Sequence, residues 1–271
     1  MMTIDLTDAL TERNLLKVIT GINNFNVDKV SQIASAAELG RATYIDIAAN
    51  DYLVDIVRQQ TQIPICISSI DPSNLYKCIR NGAQIVEIGN YDSFYRQGFN
   101  FSIDRILLIA KQIKDYFPEI TLCVTIPHHL SIKKQIYLAQ RLQEINVDFL
   151  QTEGISSHRE YELKTDKIST PINKIASTLS TTYAISKAVP LPIITASGIS
   201  HMTSLIAIKY GASGIGIGNA IQQLNGIQDM TNFIKIIKRK LTHDSIQEID
   251  YKLSTICSSV ISPKKELLLN H

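Results

Sequence analysis

The chain has 271 residues, 45% of them hydrophobic, enough to bury a full core as one large α/β domain or as two small ones. Its net charge of +2 lacks the broad basic footprint of a nucleic-acid-binding protein, and no apolar run reaches the roughly 18–20 residues that span a bilayer. Cys66, Cys78, Cys123 and Cys257 occur without a C-x-x-C pair, which fits a reducing compartment and argues against structural zinc.

The start, MMTIDLTDAL, lacks the basic-then-apolar order of a secretory signal. LLKVITGI (15–22) then reads as a buried strand, and VDKVSQIASAAELG (27–40) carries apolar residues at helical spacing with a closing glycine. TYIDIAA (43–49) is strand-like, and DYLVDIVRQQ follows with an acidic first turn and an amphipathic pattern. PICISSI (64–70) precedes DPSNLYKCIRNG, where Asp71 suits the N-cap, Pro72 the first helical position and Gly82 the stop. QIVEIGN (84–90) leads through an aromatic stretch to a helix predicted over 102–117, ended by Pro118. TLCVTIP (121–127), a helix over 131–145, VDFLQTEG (147–154) and a helix over 172–189 continue the alternation. PIITASGIS (192–200), a helix over 201–210 and GIGIGNAI (214–221) complete it.

Eight strand candidates, each followed by a helix candidate, match the units of a single (β/α)8 TIM barrel. The strands are nearly all apolar, as expected when both faces are covered. An open doubly wound sheet would carry a G-x-G-x-x-G turn after its first strand, and GINNFN is not that turn. The barrel is expected over residues 1–241, with 242–271 as a C-terminal extension, helical or partly disordered, that covers a barrel end or mediates homo-oligomer formation. The polar segment 153–173 exceeds an ordinary βα loop and is read as a lid, a substrate loop or an inert insertion. The aromatic segment 90–100 also breaks the short-loop pattern.

Both final strands end in glycine. A phosphate site is expected there, with Ser197, Gly198 and Ile199 after strand seven and Gly216, Gly218 and Asn219 after strand eight, because glycine lets backbone N–H groups approach an anion. The competing reading is that these glycines serve tight turns and close packing.

Taken together, GASGIGIGNAI and LPIITASGIS resemble the phosphate-binding half of many barrels, including those that hold flavin mononucleotide (FMN). VEIGNYDSFYRQG, VTIPHHL, DFLQTEG and ITASGIS together resemble a family of hypothetical chloroplast reading frames of algal plastids and cyanobacteria. The likeness covers about residues 15–225 and implies an aldolase-type barrel and a chloroplast (plastid stroma) location. The isoleucine-rich composition is in keeping with this. The resemblance carries over no catalytic residue.

Candidate chemistry therefore comes from polar residues among aliphatics. Lys17, Asp46 and Glu87 sit mid-strand, where an unpaired charge is costly. Strands one and two are neighbours in a barrel, so Lys17 is expected to meet Asp46, with Glu87 across the lumen. The set serves either as a structural ion pair or as a site whose dry lysine acts as base or Schiff-base nucleophile. Strand six offers Gln151 where Schiff-base barrels often carry lysine, which weakens the covalent reading. Ser68 and Thr125 read as lumen hydrogen-bonders. His128, at the end of strand five, and Glu153, at the end of strand six, are candidates for acid–base work, each set against a merely structural role. His128 and His129 point apart in extended chain, and no metal site is expected.

The leading expectation is an enzyme acting on a small phosphorylated metabolite, of lyase, isomerase or synthase type. The alternatives are an FMN-binding oxidoreductase and a non-catalytic metabolite sensor or interaction protein on a barrel scaffold.

Overall fold

In a computed structural model, which describes residues 4–89, 91, 101–154 and 169–243, eight parallel strands form a closed barrel in sequence order. They are β1 (Leu15–Ile19), β2 (Tyr44–Ala48), β3 (Ile65–Ser69), β4 (Ile85–Ile88), β5 (Thr121–Ile126), β6 (Phe149–Thr152), β7 (Ile193–Thr195) and β8 (Gly214–Ile217). The barrel closes through β1 and β8, with Lys17 opposite Gly216.

The helices are α1 (Ile4–Thr11), α2 (Val27–Leu39), α3 (Asp51–Arg58), α4 (Pro72–Arg80), α5 (Ile103–Tyr116), α6 (Ile132–Glu144), α7 (Ser169–Ser186), α8 (Ser204–Lys209), α9 (Asn219–Gln222) and α10 (Gly226–His243). Their starts are local events. The side chains of Asn26, Asn50, Asp71 and Ser102 each accept a hydrogen bond from a first-turn N–H, and Pro72 follows Asp71 as the sequence predicts. The helix predicted over 201–210 begins only at Ser204, and α7 starts before residue 172. β7 is also shorter than its apolar run, because Ser197 and Gly198 both take φ of 75° and leave the extended conformation.

Two apolar clusters explain why the strands look uniformly hydrophobic. Leu16, Val18, Ile45 and Ile47 face the helices, whereas Leu15, Tyr44, Cys66 and Phe149 face inward and fill the lower lumen. Helix α1, an element beyond the predicted alternation, supplies Leu6, Ala9 and Leu10 to that inner cluster and plugs the N-terminal end of the barrel. None of the described helices is long and apolar enough to cross a membrane. The stretch 90–100 apart from Tyr91, most of the 153–173 segment and the extension from 244 onward lie outside the described residues.

Candidate functional site at the C-terminal end of the barrel

Above the apolar plug the lumen turns polar. Lys17 Nζ contacts Asp46 Oδ2 at 2.9 Å, bonds Glu87 Oε2, and donates to Gln151 Oε1 at 2.8 Å. Ser68 donates to Asp46 Oδ1 at 2.5 Å. Thr125 and Gln151 Nε2 donate to Glu87 Oε1 at 3.0 and 2.8 Å. Every member is buried. The structure thus joins Lys17, Asp46 and Glu87 in one network, and it adds Gln151 as the bridge between lysine and glutamate. Glycine makes the room: a Cβ at Gly89 would lie 2.3 Å from Thr125, and one at Gly216 would lie 3.0 Å from Ala196 and Ile19.

Charge is unevenly shared in this network. Burial pulls the Lys17 ammonium down, but Asp46 and Glu87 together outweigh it and hold its pKa well above the usual lysine value. Burial also pushes Asp46 up, to about 6, against the pull of Lys17 and with the help of the Glu87 charge. One lysine serves two carboxylates, and Asp46 is the partner that meets it without hydrogen-bond alignment. An amine held charged in this way has to lose a proton before it can act as base or nucleophile.

The β7 and β8 loops lie side by side on the same face, since Thr195 pairs with Ile215. Thr203 Oγ1 fastens the first loop, accepting from Ser200 N at 2.9 Å and donating to Gly198 O at 3.3 Å. Gly218 caps α9, and Gln222 Nε2 ties that helix to Thr20 O at 3.0 Å. Among the described residues, the backbone N–H groups of Ser197, Gly198, Ile199, Gly218, Asn219 and Ala220 find no hydrogen-bond acceptor. The φ of 75° at Gly198 favours glycine, whereas Gly218 sits at φ −128°. Gly216 differs from its neighbours: it is buried within β8 and faces the lumen, so its service is steric.

His128 and Glu153 meet at the ends of β5 and β6. Glu153 Oε1 lies 3.1 Å from both the backbone N and the Nδ1 of His128. The His129 ring stands edge-on to His128, 6.4 Å between centroids, and burial followed by the His128 charge lowers its pKa. No group of His, Cys, Asp or Glu among the described residues is arranged to hold a metal.

Comparison with known proteins matches residues 1–247 to a family described as "Protein of unknown function (DUF561)". The chain belongs to this family. It is 44% identical over 252 residues to "Uncharacterized protein ycf23" of Porphyra purpurea, covering 92% of this chain and 94% of the relative. The protein of the same description in Cyanophora paradoxa is 39% identical, covering 89% and 98%. Among solved structures, (S)-3-O-geranylgeranylglyceryl phosphate synthase from Thermoplasma acidophilum is similar at a TM-score of 0.60 and 13% identity, covering 89% and 99%. Thiamine phosphate pyrophosphorylase from Pyrococcus furiosus follows at 0.55 and 15%, covering 86% and 98%. A 3-hexulose-6-phosphate synthase gives 0.57 and 12%, covering 83% and 98%. These likenesses establish the TIM-barrel fold of the DUF561 chain.

Proposed function

We propose that the protein is a barrel enzyme that anchors a small phosphorylated metabolite by its phosphate at the β7 and β8 loops and works on it at the C-terminal mouth, by lyase, isomerase or synthase chemistry. The observation that carries this reading is the set of backbone N–H groups without acceptors at the two adjacent strand ends. Backbone donors at glycine can hold an anion without a formal positive charge, and neither loop contains lysine or arginine. Several barrels of the same fold are named for phosphorylated compounds, which is in keeping with the reading. The resemblance to plastid reading frames supports a plastid stromal setting.

Two substitutions separate anion binding from turn geometry. A Cβ at 218 would meet Ile19 at 3.5 Å, ordinary contact, so Gly218→Ala is expected to fold and bind nearly as the parent does. Gly218→Asp is expected to abolish binding of inorganic phosphate, by bulk and by like-charge repulsion. A folded Gly218→Asp protein that binds phosphate as tightly as the parent removes the anchoring assignment. Native mass spectrometry of freshly purified protein is expected to show a retained phosphorylated ligand, and its mass gives the substrate class. The phosphate of FMN would use the same backbone donors. A flavin absorbance band in the supernatant of denatured protein would replace the metabolite reading with the FMN-dependent one.

A further inference from the structure

We propose that His128 and Glu153 form an oriented acid–base pair at the barrel mouth, in which Glu153 holds the imidazole as its Nδ1–H tautomer so that Nε2 accepts a proton from the phosphate-anchored ligand. The proposal rests on the anchoring read above and names the group that would act on the ligand. Glu153 Oε1 accepts from the His128 backbone N–H and lies against the Nδ1 of the same residue, each at 3.1 Å. A carboxylate is acceptor-only when ionised, so the ring proton of a neutral His128 sits on Nδ1 and the lone pair on Nε2.

The surroundings hold this geometry in place. Gln135, on α6 and 3% exposed, donates from Nε2 to Leu130 O at 2.9 Å and to Pro127 O at 3.3 Å, bracketing His128 in its loop. Thr181 on α7 donates to Gln135 Oε1 at 2.9 Å and fixes the amide in turn. On the other strand, Phe149 and Gln151 face the lumen, so the period of two carries Glu153 inward as well. Gly154 follows it where any Cβ would lie 2.1 Å from Thr178 Oγ1, which lets the end of β6 run close against α7. The Glu153 side chain is 7% exposed and that of His128 18%, which buries the orienting carboxylate more deeply than the ring. In the step this pair supports, Nε2 takes a proton from an acidic C–H or O–H of the ligand. The electron pair stays on that carbon or oxygen, and the imidazolium is paired with the carboxylate of Glu153.

The first test needs no ligand. Long-range 1H–15N correlation spectra of the uniformly 15N-labelled full chain, with His128 assigned by its loss in His128→Gln, should show the Nδ1–H tautomer when the ring is neutral. Glu153→Ala should shift it toward Nε2–H, while Glu153→Gln, which keeps an acceptor oxygen, should retain Nδ1–H and show that the fold is intact. A parent ring in the Nε2–H form overturns the pair. The second test follows acylation of His128 by diethyl pyrocarbonate, read by peptide mass. Glycerol phosphate should slow it several-fold in the parent and leave it unchanged in Gly218→Asp. Bound glycerol phosphate that leaves the acylation rate untouched overturns His128 as the group facing the ligand. Failure of glycerol phosphate to bind at all overturns the anchoring reading instead, and the tautomer result then decides the pair alone.

Discussion

A lysine between two carboxylates leaves one negative charge in excess inside a dry barrel, and this imbalance makes the lumen sensitive to single substitutions. Lys17→Met leaves both carboxylates without their cation and is expected to destabilise the protein by about 3–5 kcal/mol in urea unfolding, the range for breaking a buried pair. Adding Asp46→Asn and Glu87→Gln should return much of that loss, because no buried charge then remains uncompensated. Parent-like stability of Lys17→Met alone would show that the three side chains are not coupled. A second expectation concerns pH. The Asp46 carboxyl is raised from 3.8 to about 6 on folding, so the folded protein holds a proton that the unfolded chain releases in that window. Stability contributed by its neutral form is present below the ordinary value and is lost as pH rises through about 6, with a slope of up to about 1.4 kcal/mol per pH unit. Asp46→Asn should flatten that slope in urea midpoints measured across the window. A parent whose stability rises steadily there would contradict the assignment. Lys17, with its pKa raised, gives stability that persists through neutral pH and is lost only in strong alkali.

Elements show where local pattern was sufficient and where it was too short to weigh. Asp71 and Pro72 were legible as a helix start because an N-cap is satisfied within its own first turn. Helix α1 was not, although Leu6, Ala9 and Leu10 stand at helical spacing, because isolated helices of this length are marginal in water and its stability comes from the lumen it plugs. Arg13, just after it, donates from Nε to Ala212 O at 3.0 Å and links the turn before β1 to the turn before β8. Leu6 is 2% exposed, and Leu6→Ala is expected to cost about 2–5 kcal/mol, as for other buried leucines. The loss should be accompanied by faster labelling of the Cys66 and Cys123 thiols beneath the plug, read by peptide mass. Unchanged labelling with unchanged stability would mean that α1 is a dispensable flap.

At the scale of the whole molecule, closure of the barrel creates every candidate site. Lys17 and Gln151 are 134 residues apart in sequence and 2.8 Å apart in the lumen, and His128 and Glu153 meet because β5 and β6 are adjacent. Sequence by itself determined the alternation of strands and helices, the barrel class, the glycine-ended loops after β7 and β8, and the buried charges as a set requiring partners. Each follows from a period, a cap or a desolvation cost that acts within a few residues. Only the tertiary structure decided that Glu87 shares its lysine with Asp46, that Gln151 bridges them, that Gly216 serves packing within β8, and that Glu153 is the partner of His128. Those outcomes depend on which inward-facing positions fall at the same height, and the stagger of strands around a closed barrel sets that height, which no single strand encodes.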